Sequence, residues 1–220
     1  MINKLAKQRL IQAKEIKSSK KKEVKQPQKE EVTVKELKLS VIKVKIIGKS
    51  PYIPEPMDMS VLELYDLKKS NQTYEKSTES ADDKAKKKFY YTEDGRYGIP
   101  VRQFYNSMRN ASSYLFDRHE GGKRNITEGI NISGYIIPLK YGKLTKAIHW
   151  GRQAGMSKAP MKIVRNLFHD WSCELEIEFN QAQLSAEQII NVLKWAGFYI
   201  GVGAFRKEKT GNYGAFTVKL

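Results

Sequence analysis

The chain has 220 residues, 40% of them apolar, enough for one domain with its own core and an additional segment. Forty Lys and Arg stand against 24 Asp and Glu, a net charge of +16. One cysteine excludes an internal disulfide or a thiolate zinc site, no apolar run reaches the roughly 18 residues of a membrane span, and the first ten residues lack an apolar signal core, so a reducing, cytoplasmic setting is expected. Excess positive charge draws polyanions through counterion release, and nucleic acid is the expected partner. An anionic membrane surface and an acidic protein are the other classes that the charge admits.

The first 35 residues hold eleven Lys or Arg against four Glu, with Lys20, Lys21 and Lys22 at the centre. Too few apolar groups accompany them to pack, so residues 1–35 are expected to be a disordered basic tail that folds on a polyanion or docks on a neighbouring subunit. A single domain is expected over residues 36–220. In its opening stretch Leu37, Leu39 and Val41 alternate in one phase and Val44 and Ile46 in the other, which predicts a strand bulged near Val41 and Ile42. Pro51, Pro54 and Pro56 end it. Residues 57–88 read as an insertion, with a short helix over 59–67 and then a polar run ending in Lys86, Lys87 and Lys88.

Asp94-Gly95 predicts a hairpin turn, and Pro100 suits the first turn of a helix on which Val101, Phe104, Tyr105, Met108 and Leu115 recur at helical spacing. Arg102, Asn106 and Arg109 take its other face. Gly121 and Gly122 break that helix and introduce a basic patch, Lys123 and Arg124. His119 lies beside it, either a general acid-base or an exposed, idle imidazole. Residues 126–141, with Ile130, Ile132, Ile136, Ile137 and Leu139, read as strand. Residues 142–158 are expected to form a loop in which Lys146 and Arg152 flank Trp150, a texture that stacks bases while touching phosphates, or else a surface loop pinned by one buried tryptophan. His149 and His169 have no ligand partners at metal spacing, and neither Walker nor Rossmann glycine spacing occurs, so no metal and no cofactor is expected.

From 171 to 179, Cys173, Leu175, Ile177 and Phe179 alternate with Glu174, Glu176 and Glu178, a half-buried strand with an unreactive thiol. Ser185 and Gln188 form a capping box for a helix bearing Ile189, Ile190, Val192, Leu193 and Trp195, which stops at Gly197. The segment 197–220 then holds five of the fifteen glycines, with Arg206, Lys207 and Lys209 among them, and closes on strand material from Ala215. Glycine without a Cβ lets a main chain approach a partner's backbone or phosphates; an ordinary hairpin with a Thr210-Gly211-Asn212 tip is the alternative.

Strand, helix, glycine-rich loop, strand, with Gly201, Gly203, Gly211 and Gly214 around Arg206, Lys207 and Lys209, resembles the repeat-associated RNA-binding proteins of CRISPR systems. The same string resembles the C-terminus of a family of small phage proteins ending in Gly-x-Gly-x-aromatic-Arg-x-Glu-Lys. The element order is α+β, and the first resemblance implies a decorated ferredoxin-like (RRM/RAMP-like) domain. It further implies a homo-oligomer or filament along RNA, with residues 57–88 as a thumb over the bound strand. The expected function is non-catalytic, largely sequence-independent binding of single-stranded RNA or DNA. Gly201 and Gly203 would permit main-chain approach. Arg206, Lys207, Lys209, Lys146, Arg152, Lys123 and Arg124 would meet phosphates, Tyr213 and Trp150 would stack, and Asn212 would complete the tip. Two alternatives remain: a metal-independent RNA endonuclease, using His119 with Lys123 or Tyr114, and a phage structural or replication component.

Overall fold

The computed structural model describes residues 37–54, 56, 80–116, 122–152 and 160–219. The expected tail, the helix over 59–67, the thumb as far as residue 79, and His119 fall outside them.

Strand β1 (Leu39–Gly48) is central to the main sheet. It pairs antiparallel with β7 (Ser172–Asn180), from Leu39 opposite Asn180 to Ile47 opposite Ser172, and on its other edge with β8 (Phe216–Lys219). Strand β3 (Ile130–Ile132) adds to the far side of β7, giving the order β3-β7-β1-β8 with every neighbour antiparallel. The chain passes from β1 to β3 through α2 (Val101–Leu115) and α3 (Gly122–Gly129), and from β7 to β8 through α4 (Ala186–Trp195).

Helices cover one face of this sheet. Val44, Ile46, Cys173, Leu175, Ile177, Phe179 and Phe216 pack in one core with Phe104 and Met108 of α2 and Ile189, Val192 and Leu193 of α4. The other face is open and pairs charges across strands, with Lys43 Nζ 3.1 Å from Glu176. Exposed pairs of this kind contribute at most about 1 kcal/mol.

Several elements match the sequence reading. The alternation in β7 faces Cys173 inward, the turn at Asp94 and Gly95 is formed with Gly95 at φ 78°, and α4 starts on a complete Ser185–Gln188 capping box. Others do not. Strand β1 has no bulge: its register with β7 is continuous, and Leu37, Leu39 and Val41 are simply exposed on the open face. Residues 126–129, expected to begin a strand, lie in α3 instead, which carries an Arg124–Glu128 pair at 2.8 Å and a Thr127 hydroxyl donating to Lys123 O at 2.6 Å, with Ile126 buried. The run 84–88, expected as a polar loop, begins inside α1 (Ala81–Lys86), whose Ala85 is buried and accepts a hydrogen bond from Asn166 Nδ2.

The largest departure concerns the expected loop at 142–158. Its first part is β5 (Lys143–Arg152), paired along its whole length with β6 (Pro160–His169) in a separate two-stranded ribbon. Thr145, Ala147 and His149 face one side and Leu144, Lys146, Ile148 and Trp150 the other, a period of two that the basic residues obscure in the sequence. Trp150 is 74% exposed, so it pins nothing. A second small sheet joins β2 (Gly98–Pro100) to β4 (Ile136–Pro138).

Burial pushes the Cys173 thiol up to about 12, with Glu174 adding to the shift, so the thiolate is negligible near neutral pH. Native protein treated with a disulfide-exchange reagent at mildly alkaline pH should label only as fast as it globally unfolds. Rapid labelling without denaturant would mean that β7 opens locally.

Candidate nucleic-acid interface

Helix α4 does not stop cleanly at Gly197. It runs on into a π turn (Ala196–Ile200) that closes with Gly201 N donating to Ala196 O at 2.8 Å. Gly201 then takes φ 79°, where an L side chain is strained. The following loop is stitched by main-chain hydrogen bonds to itself and to the segment after β1. Val202 N donates to Gly214 O at 2.9 Å, Ala204 N to Ile53 O at 3.0 Å, and Gly214 N to Pro51 O at 2.8 Å. The close approach that the glycines permit is therefore made within the protein. A Cβ on Gly203 would lie 2.5 Å from Ile53 O, beside the ring of buried Tyr52. Burial raises the Tyr52 phenol well above its usual value, so it stays neutral.

Charge in this loop is partly satisfied from inside. Arg206 holds Glu208 at 2.6 Å and donates to Gly203 O at 3.2 Å, while Asn110 Nδ2 of α2 donates to the same carboxylate at 2.7 Å. Lys207 lies 4.3 Å above the Phe198 ring, and Lys209 is exposed. Between the loop and α2 lies a cleft of about 200 Å³. Gln103, Asn106 and Asn110 line it at spacings of three and four, so three carboxamides share one stripe of the helix. Residues 200–204, with Arg206 and Glu208, line it from the loop.

The stripe continues into an aromatic pavement. Tyr114 lies 5.3 Å from Tyr199 and 6.3 Å from Trp195, Trp195 lies 5.0 Å from Tyr199, and the three ring planes agree within 25°. Phe198 meets Tyr199 edge-on. Tyr114 is 58% exposed and Phe198 61%. On its other side the loop meets the ribbon: His149 stacks on Phe205 at 5.1 Å, Tyr213 meets His149 edge-on, and the Arg165 guanidinium lies 5.5 Å above Phe205.

No family model and no curated protein matches the chain. Solved structures do. A chain in the cryo-EM structure of the Type III-B Cmr-beta bound to cognate target RNA matches with a TM-score of 0.56 and 10% identity, over 83% of this chain and 60% of that one. Cmr6 from Pyrococcus furiosus gives a TM-score of 0.42 and 12% identity, over 84% of this chain and 100% of that one. The likeness to the Cmr-beta chain is one of fold, and this chain spans 60% of that chain's length.

The tertiary structure brings together two of the three expected patches. Gly201, Gly203, Arg206, Lys207, Lys209, Asn212 and Tyr213 are on the stitched loop, and β5 with Lys146, Trp150 and Arg152 belongs to the ribbon that packs on it. Lys146 is paired with Asp82 of α1 at 3.3 Å. Lys123 and Arg124 are on α3, which packs on α2 and β3 instead. Sequence reasoning missed the carboxamide stripe and the pavement. The spacing 103, 106, 110 on α2 was the available signal for the first; the second joins two segments, Tyr114 and 195–199, of which only the second shows its rings in the sequence. Among the described residues no group of three or more His, Cys, Asp or Glu could hold a metal, and no helix is long and apolar enough to cross a membrane.

Gly203→Ala combines left-handed strain with the clash at Ile53 O, and it should lower unfolding stability by more than about 2 kcal/mol in urea titration. Gly95→Ala, at a similar φ of 78° but with nothing within 4 Å of the new Cβ, should cost about 1 kcal/mol. Equal losses would show that the stitch adds nothing to the backbone strain.

Proposed function

We propose that this protein binds single-stranded RNA without cleaving it, as a ferredoxin-like, RAMP-like subunit. The carrying observation is the convergence on one continuous surface of a carboxamide stripe, an aromatic pavement and exposed cations. Asn110 touches Glu208 of the loop, Lys207 touches Phe198, and Tyr114 touches Tyr199, so α2, the loop and the π turn form one track. Arg102 and Arg109 are exposed along the same helix. Stacking surfaces beside cations suit a flexible strand with splayed bases better than a duplex.

Three further facts support this reading. The order β3-β7-β1-β8, with helical crossovers after β1 and β7, supports reading the sheet as a split βαβ, ferredoxin-like unit. The fold matches a chain from an assembly described as bound to target RNA. The net charge of +16 supplies a long-range attraction for any polyanion. The open sheet face bears no aromatic residue on its four strands, so stacking of the RRM type does not occur there and the strand runs on the helical side. Side chains supply most contacts, because the loop amides of Gly201, Val202, Ala204, Gly211, Tyr213 and Gly214 already donate within the chain.

In this account affinity comes largely from phosphates met by Lys207, Lys209, Arg102 and Arg109, with Glu208 restraining Arg206. A labelled single-stranded RNA titrated at several salt concentrations should give a steep log-log dependence. Lys207→Ala/Lys209→Ala should weaken binding and flatten the slope by roughly 0.7 per lost contact. Glu208→Gln, which releases the Arg206 guanidinium, should tighten binding and steepen the slope. An unaltered slope and affinity in the double lysine variant would remove the loop from the interface, and shortening of the RNA under enzyme excess would overturn the non-catalytic assignment.

A further inference from the structure

The polar row on α2 continues past the cleft, toward the start of the helix. Arg102, Asn106, Asn110 and Tyr114 recur every four residues, so they form one ridge, about 18 Å along the axis from first to last. Asn106 lines the cleft beside the glycine-rich loop and also a second groove, of about 710 Å³, at the other end of the ridge. Pro100, Val101 and Ile136 give that groove an apolar lining, and Arg102 and Asn131 are exposed at it. No acidic residue among the described ones lines it. Its volume falls within the range of roughly 300–1,000 Å³ typical of sites that enclose a small ligand.

Tyr135 lines this groove with 85% of its surface exposed. A lone exposed tyrosine is ordinary, but this one has a rigid mount. Ser133 N donates to Glu176 O at 2.9 Å, Val101 N donates to Tyr135 O at 3.0 Å, and Ile136 pairs with Pro100, so the main chain is held on both sides of the ring. Gly134, at φ 85°, makes the bend. Two side-chain torsions are all that a flat partner must order when it lies on such a ring.

We infer that Tyr135 is a second stacking platform, and that the bound strand follows the α2 ridge from the pavement at Tyr114 to the groove at Tyr135. The inference rests on the RNA-binding assignment and gives the strand a path and a length. Arg102, exposed and in no ion pair among the described residues, meets a phosphate at the groove as Lys207 does at the pavement. On the other side of Tyr135 a concavity is lined by Glu93 and Asp94, the latter bound to Arg96 Nε at 2.6 Å, so a polyanion is favoured on the α2 side. Phosphates of a stacked strand recur about every 3.4 Å, so about six nucleotides reach from one ring to the other, and fewer if the strand is extended.

The test uses the intact chain and labelled uridylate, as a trinucleotide and as a decanucleotide, in anisotropy titrations at one salt concentration. The decanucleotide reaches both rings and the trinucleotide only one. Tyr135→Ala should therefore weaken the decanucleotide about tenfold and the trinucleotide less than about twofold, since the pavement still receives the shorter strand. The melting temperature should not move, because the side chain is exposed. Tyr135→Phe should bind as the unaltered protein does, because stacking needs the ring and not the hydroxyl. Decanucleotide affinity unmoved by Tyr135→Ala, with Lys207→Ala/Lys209→Ala still weakened in the same assay, overturns the path while leaving RNA binding intact. Equal losses for both lengths would make Tyr135 an independent site and overturn the single track. Failure of the unaltered protein to bind the decanucleotide overturns the RNA-binding assignment and the path with it.

Discussion

The structure depends on a backbone-to-backbone stitch. Pro51 and Ile53, just past the central strand β1, accept hydrogen bonds at their carbonyl oxygens from Gly214 N and Ala204 N, and Val202 donates to Gly214 O across the neck of the loop. These chains approach so closely that side chains at Gly203 or Gly214 would occupy the space of a carbonyl oxygen. A loop fixed in this way has lost its conformational entropy during folding, so a partner that docks on it need not supply that cost. What the loop presents is therefore preorganised: a wall for the cleft, a mount for Lys207, and an anchor for the ribbon through Phe205.

The same stitch changes the part that the glycines play. They make a rigid shape possible, and the groups facing outward are side chains on its neighbours. The guanidinium most central to the loop is tied to Glu208, and the network extends to Asn110 on α2, which links loop and helix through one carboxylate. Such a network sets geometry more than it adds stability, since exposed ion pairs contribute little. Lysines at 207 and 209 have no acidic partners among the described ion pairs, and both are exposed.

The open sheet face carries the ordinary pattern of a solvated surface. Its lysines and glutamates answer one another across strands, and its apolar residues at 37, 39 and 41 are aliphatic. The aromatic rings gather instead where α2, α4 and the π turn meet. The π turn carries Tyr199, whose ring lies 5.0 Å from Trp195, and Phe198, which meets Tyr199 edge-on.

Local rules determined β7, the capped start of α4, the Asp94-Gly95 turn, the helix after Pro100 and the α+β class, because each follows from periodicity of two or 3.6 or from one residue's backbone preference. The charge likewise raised the expectation of a polyanionic partner without any fold. Tertiary structure alone decided the rest. Residues 143–152 became a strand because β6 offered a complete ladder, Ile126 joined a helix because α2 offered a surface to bury it, and Leu39 and Val41 faced outward because β7 fixed the register. For the interface, the glycines and lysines were visible as a string, yet the carboxamide cleft and the pavement arise from segments about 90 residues apart along the chain, from Asn110 to Glu208 and from Tyr114 to Tyr199. No spacing rule reaches across such a gap, since packing of one surface on another is what creates the site.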